Sequence, residues 1–436
     1  MTYIPLVYFG CLFVLMYQRH KQIDIASIVS LIFAVSGLFS VLIDINRYRS
    51  YDTYNYEISI VPAALYCILL TLCILPLAKC NIVNRIQIEP VRNVKLIKLL
   101  SVVSIIWFLL TVFFSWDRFL FILMSGDMAE IRGDLYKGIA EDSWMLSLSG
   151  PIRYTFSLLN LLFGCPWVLI FLGFYSMIGN RVPLLYSYFF LIASLSGPYN
   201  GILGVDRSSS AYWIMSAVTL FVLFRNQLPY SIKKQLSVLG LVAVVGVISY
   251  LAAMTIARFG ENDSSGGALG SLISYLGQSY INFCYFFDKY DLPYHHFGIV
   301  FPFTSQYIFG VPSGGVTIQE EMSWLSHKAT GVFYTFIGQM IIGIGQFWAI
   351  IMTMVYSFFS FKTLGNINRK NEVDIMSLYL YFAFASVVLL GIFGHYYADP
   401  AKSFSLVAMY FVMRILRKGR LEITLCLLTP GEECFE

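Results

Sequence analysis

Apolar residues run through the chain in eleven continuous blocks: 2–17, 23–43, 58–78, 99–115, 151–177, 183–203, 209–224, 236–257, 331–361, 375–394 and 401–416. A helix rises about 1.5 Å per residue, so roughly 20 apolar residues cross the ~30 Å hydrocarbon core of a bilayer. Blocks of this length predict transmembrane helices. The alternating segments of about ten residues that would build a membrane β-barrel do not occur. The pattern predicts an all-α polytopic membrane protein with about eleven transmembrane helices. Arg19, His20 and Lys21 follow the first block and no basic region precedes it, so it reads as a first span rather than a cleaved leader.

Composition agrees with the pattern. The 436 residues are 58% hydrophobic and 12% charged, with a mean hydropathy of +0.71. Soluble domains carry roughly 25% charged residues, so a soluble enzyme and a disordered chain are both excluded. Charge also orients the bundle. One set of loops holds 18 of the 29 basic and 8 of the 25 acidic residues, a net +10, whereas the opposite set nets −6. The positive set faces the cytoplasm.

With an odd number of spans the chain then starts outside and ends inside. Residues 1–257 carry spans one to eight with outer loops 44–57 and 116–150. Residues 258–330 form a large outer loop, 331–418 carry spans nine to eleven, and 419–436 read as a cytoplasmic tail. Only Cys284 of the eight cysteines falls outside, so no disulfide framework is expected there. The acidic loop 116–150 would not attract nucleic acid through its net charge.

The spans narrow the function. No formal charge lies mid-span; Asp24, Arg153 and Lys402 sit near span ends, where side chains snorkel. A pump or ion-coupled transporter usually holds carboxylates or His near the midplane. There is no Walker A, HExxH or paired CxxC sequence. The bundle reads as a scaffold for chemistry at its outer surface.

The outer candidates start with Arg207, beside Asp206 at the opening of the seventh span and followed by Ser208, Ser209 and Ser210, all good first-turn residues. A guanidinium at a helix start offers forked donors to an anion. Arg258 closes the eighth span at the same membrane depth. Together they suit the diphosphate of a polyprenyl carrier, and ordinary contact with Asp206 or lipid headgroups is the competing reading. Residues 268–287 set Ser271, Ser274, Gln278 and Asn282 in one polar stripe, which predicts a helix lying in the interface or dipping into the bundle. Within 288–330, Glu321 and His327 stand just before the ninth span and are the natural general bases for a sugar hydroxyl. Residues 44–57 mix charge with tyrosine, which suits glycan stacking and equally an aromatic belt.

The Arg207 segment, Arg258-Phe-Gly260, the long outer loop with Phe301-Pro302, and Gly338, Gly343 and Gly345 in the following span occur in an order that resembles the Wzy-type polymerases of O-antigen and related oligosaccharide repeat units. The resemblance covers about residues 200–350. The spacing departs from the family's Arg-x10-Gly pattern, since the first glycines after Arg258 that could serve are Gly266, Gly267 and Gly270, none at that spacing.

The resemblance implies a GT-C-like bundle and a metal-independent glycosyltransferase without cofactor in the bacterial inner membrane, its active site facing the periplasm. Such an enzyme passes the growing glycan from its undecaprenyl diphosphate carrier to a new lipid-linked repeat. Its partners are undecaprenyl-diphosphate-linked oligosaccharides, the lipid bilayer and a chain-length regulator. An O-antigen ligase of the same fold and a lipid-linked oligosaccharide flippase or other transporter are the alternatives.

Overall fold

Each apolar block contains one or two helices. The computed structural model describes residues 1–48, 53, 55–80, 87–124, 149–259, 267–289, 297–301, 304–310, 322–323, 333–369 and 372–418. In chain order the helices are α1 (Ile4–His20), α2 (Ile25–Asn46), α3 (Ile60–Lys79), α4 (Val94–Phe114), α5 (Trp116–Met124), α6 (Gly150–Phe163), α7 (Pro166–Ser176) and α8 (Leu184–Ala193). They continue with α9 (Ser196–Leu203), α10 (Ser208–Phe224), α11 (Tyr230–Phe259), α12 (Gly267–Lys289), α13 (Thr335–Ile344), α14 (Gln346–Asn368), α15 (Ile375–Leu389) and α16 (Pro400–Lys418).

Among the described residues six helices are long and apolar enough to cross a membrane: α2, α3, α4, α11, α14 and α15, the last extended to Ile392. A seventh is added if the bent pair α6–α7 is one span. The chain is therefore a membrane-embedded, multi-pass, helical protein. α11 makes the point physically, because Leu241 and Val242 are each 65% exposed on a helix with hardly any charge. Such a surface is stable against lipid, not water.

Two breaks within predicted continuous spans have clear local causes. α6 and α7 meet at 64° across Gly164 and Cys165. Pro166 lacks an N–H and disfavours the helical region for Cys165, which sits at φ −101°, ψ 95°. α13 and α14 are separated at Gly345, at φ 84° and ψ 162°, a conformation open to glycine.

Inside the bundle, small polar residues let helices approach and then bond across the gap, as expected where apolar burial does not distinguish protein from lipid. α12 lies along α2, where Ser36 Oγ donates to the carbonyl of Leu276 at 2.9 Å and Ser40 Oγ to that of Gly277 at 2.6 Å. Ser357 ties α14 to Leu72 of α3 at 2.7 Å, Ser101 ties α4 to Tyr186 of α8 at 2.6 Å, and Ser176 meets Ser187 at 2.7 Å between α7 and α8. The polar-striped helix α12 thus packs within the bundle, with Ser279 and Asn282 buried.

Basic loops meet at one face. β1 (Gln87–Ile88) pairs in parallel with β2 (Glu372–Val373) there. Arg417 reaches Asp374 at 3.2 Å, Arg181 donates to the carbonyl of Val91 at 3.3 Å, and Arg225 to that of Ile23 at 3.3 Å. At the same face Asp24 caps α2 through the amide and hydroxyl of Ser27, and its other oxygen lies 2.6 Å from His20 Nδ1. The opposite face holds Thr2 bonded to Asp44 at 2.9 Å, and Tyr56 and Ser59 both donating to Asp288. Burial and the carboxylate neighbour push the Tyr56 phenol up.

Candidate functional site

The start of α10 organises the second face. The chain turns sharply after α9: Asp206 N–H donates back to the carbonyl of Gly201 at 2.7 Å, with the buried Val205 at φ 49°. This turn delivers the Asp206 carboxylate to the first amides of α10. It accepts from the N–H of Ser208 at 3.0 Å and of Ser209 at 3.2 Å, and from both hydroxyls at 2.6 and 3.0 Å. Helix starts carry orphan N–H groups and partial positive charge, and a carboxylate answers both.

Arg207, the next residue, reaches across to two other helices. Its Nη1 donates to Thr255 Oγ1 of α11 at 3.1 Å, and the Thr255 hydroxyl in turn donates to the carbonyl of Leu251. The guanidinium lies 4.5 Å from the ring centroid of Tyr275 on α12. A bond and a cation–π contact together fix the plane of the fork. Tyr275 belongs to an aromatic wall, with Phe333 at 4.6 Å and Phe393 at 5.1 Å; Phe393 meets Tyr212 at 5.9 Å, and Tyr212 meets Tyr396 at 4.9 Å.

Arg258 occupies the last turn of α11, three residues beyond Thr255. The side chain of Arg258 lies outside the described residues, as do Glu321 and His327 altogether. Of the four residues singled out from the sequence, Arg207 is thus the one whose contacts are seen. Of the stripe on α12, Asn282 Nδ2 donates to the carbonyl of Phe333 at 2.8 Å, which anchors the aromatic wall.

Two further groups lie at this face: His395, which the sequence does not single out, and Lys402, which reads from the sequence only as a snorkelling span-end cation. His395 lies in the turn between α15 and α16. Its amide donates to Gln339 Oε1 at 2.6 Å, Gln339 Nε2 donates to the carbonyl of Ile299 at 3.3 Å, and burial lowers the imidazole pKa to about 4. Lys402 pairs with Asp399 at 3.3 Å and rests 4.7 Å over the Tyr396 ring. The signal for both was their place at the end of an apolar block, where the turn His395-Tyr-Tyr-Ala-Asp-Pro400 looked like a short link.

Among the described residues no three His, Cys, Asp or Glu side chains converge as metal ligands. No protein-family model, curated protein or solved structure matches the chain.

Proposed function

We propose that this chain is a glycosyltransferase of the GT-C type that polymerises undecaprenyl-diphosphate-linked oligosaccharide repeat units at the outer face of the bacterial inner membrane. The bundle is read as eleven spans, with the basic face in the cytoplasm and Arg207 on the periplasmic side. The observation that carries this reading is the placement of Arg207: at a helix start, 4.5 Å from the ring centroid of Tyr275, and bonded to Thr255, three residues before Arg258 in the chain. A pair of guanidinium groups, one from Arg207 and one supplied by Arg258, would suit a diphosphate whose lipid tail stays in the bilayer.

In the reaction the acceptor hydroxyl attacks the anomeric carbon of the growing glycan. The new glycosidic C–O bond forms as the bond from sugar to diphosphate oxygen breaks. Undecaprenyl diphosphate leaves with the electron pair, and Arg207 and Arg258 stabilise its gathering charge. Glu321 or His327 takes the proton of the hydroxyl. The sugar–diphosphate linkage supplies the driving force, which fits a chain without a nucleotide motif.

The test is a mass-spectrometric and gel profile of lipid-linked glycans in cells lacking the gene and in cells carrying Arg207→Ala or Arg258→Ala. Single-repeat glycan on the final acceptor is the expected result. Long polymer of normal length in variants that still insert overturns the reading. A full ladder retained on undecaprenyl diphosphate points instead to a ligase, and unpolymerised repeat on the inner leaflet to a flippase.

A further inference from the structure

One side of α10, carrying Ser209, Tyr212, Trp213 and Ser216, lines a cavity of about 320 Å³ bounded by α4, the α6–α7 break, α9, α10 and the turn into α16. Its size is at the small end of the range of about 300–1,000 Å³ typical of ligand pockets. The break creates it. Bending the chain at Gly164 frees backbone groups that a continuous helix would have satisfied, and Ser405 of α16 takes them up: it accepts from Cys165 N–H at 3.3 Å and donates to the carbonyl of Leu162 at 2.9 Å. Interrupted backbone at membrane depth is tolerated where it is buried in protein or lines a cavity, and broken helices commonly frame binding sites.

The lining is aromatic and neutral-polar. Trp107 and Trp213 border the space with their N–H groups already committed, to Asn160 Oδ1 at 3.0 Å and Ser194 Oγ at 3.1 Å, so both rings are locked in orientation. The Ser196 hydroxyl, on a residue 1% exposed, has no partner among the described residues. Buried hydroxyls are nearly always paired, so this one stands as an unsatisfied polar group in the wall of the cavity. The exposed Asn200 adds a carboxamide. The charged lining residues are Lys402 and Asp399, which neutralise each other. An anion finds no net positive charge here, in contrast to the Arg207 side.

We propose that this cavity binds one neutral sugar ring, the acceptor-side residue of a second lipid-linked glycan. Rigid indole rings offer the apolar surface that the C–H face of a pyranose covers, and hydroxyl and amide groups around them match its hydroxyls. The assignment of the sugar as the acceptor rests on the polymerase reading; the neutral-ring site itself does not.

The test uses the full chain in nanodiscs, titrated separately with the methyl glycosides of glucose, galactose, N-acetylglucosamine and rhamnose, and with inorganic diphosphate. Tryptophan emission is the readout, since Trp107, Trp167 and Trp213 all line the cavity. At least one glycoside is expected to shift the emission saturably. Ser216→Leu, which fills the cavity from α10, should weaken that response roughly tenfold or more. Asn200→Ala, at an exposed position where folding is not at stake, should weaken it about fivefold. No saturable response to any glycoside, a response that neither variant alters, or displacement of the glycoside by diphosphate overturns the proposal. A glycoside response in a chain whose loss from cells leaves polymer length normal keeps this site and removes the polymerase reading. Polymerase activity without any glycoside response does the reverse.

Discussion

Arg207 donates to the Thr255 hydroxyl at 3.1 Å, and this single bond joins the start of α10 to the last turns of α11. The Tyr275 ring beneath the guanidinium brings in α12. Three helices therefore determine where one cation sits. If the fork binds diphosphate, its removal should cost more than its charge alone. Arg207→Ala is expected to weaken binding of inorganic diphosphate to the protein in nanodiscs by roughly 10- to 100-fold, the range for a hydrogen bond to a charged group. Arg207→Lys should recover part of that loss, because it keeps the charge without the planar fork. Tyr275→Leu should weaken binding by several-fold through loss of the cation–π contact. Equal affinities in all four proteins would remove Arg207 from the site.

The contact of α12 with α2 rests on one missing side chain. A Cβ on Gly277 would lie 2.5 Å from the backbone nitrogen of Ser40, and backbone cannot swing aside as a side chain does. Gly277→Ala should push the helices apart, strain the bonds from Ser36 and Ser40, and lower stability by about 1–3 kcal/mol, the usual cost of overpacking. Gly240, on the lipid-facing α11, has nothing within 4 Å of such a Cβ. Gly240→Ala should be neutral or gain up to about 1 kcal/mol from helix propensity. Thermal unfolding in detergent measures both, and a Gly277→Ala protein as stable as the parent would show that the helices are not in this register.

How far the fold was legible depended on range. The helices themselves were, because a continuous apolar block admits little else, whereas Asp24, which reads from the sequence as a snorkelling span-end residue, proves to cap α2 through Ser27. The interruptions were not, because hydropathy is blind to direction: 151–177 stays apolar through the bend, although Gly164-Cys-Pro166 carries the cue. Likewise Gly345 looks like any other glycine until its φ of 84° is known. Arg207 stood out as a cation beside Asp206 at a span start, yet its observed partners on α11 and α12 depend on which helices are neighbours. His395 is not singled out, and Lys402 reads only as a snorkelling cation, because polar residues at span ends are ordinary and nothing local reveals that the cavity beside α10 reaches Lys402.

Asp206 carries a structural load that its charge at a span end disguises. Its carboxylate accepts from the amides and hydroxyls of both Ser208 and Ser209. Asp206→Ala leaves those amides unanswered and should cost about 1 kcal/mol, typical of a lost cap. Asp206→Asn keeps an acceptor at the same place and loses the favourable charge at the helix start, about 0.3–1 kcal/mol. Because Arg207 follows directly, Asp206→Ala should also loosen diphosphate binding, whereas Asp206→Asn should largely retain it. An alanine variant that matches the parent in both unfolding temperature and affinity would contradict this division of roles.

His395 should make stability depend on pH in a definite direction. Burial lowers its pKa to about 4, whereas an exposed imidazole titrates near 6.5. Between these values the unfolded chain binds a proton that the native protein does not, so protonation favours unfolding. The contribution is fully present above about pH 6.5, declines as pH falls from there to about 4, and changes no further below that. Ordinary carboxylates titrate near the lower limit, so the difference between two proteins is the informative quantity. His395→Gln has no proton to take up, and its unfolding temperature should fall less steeply than the parent's across this window, even if it starts lower at neutral pH. Curves that stay parallel from neutral pH down to about 4 would mean that the imidazole is already solvated in the native protein and that the turn between α15 and α16 is more open than its bond to Gln339 indicates.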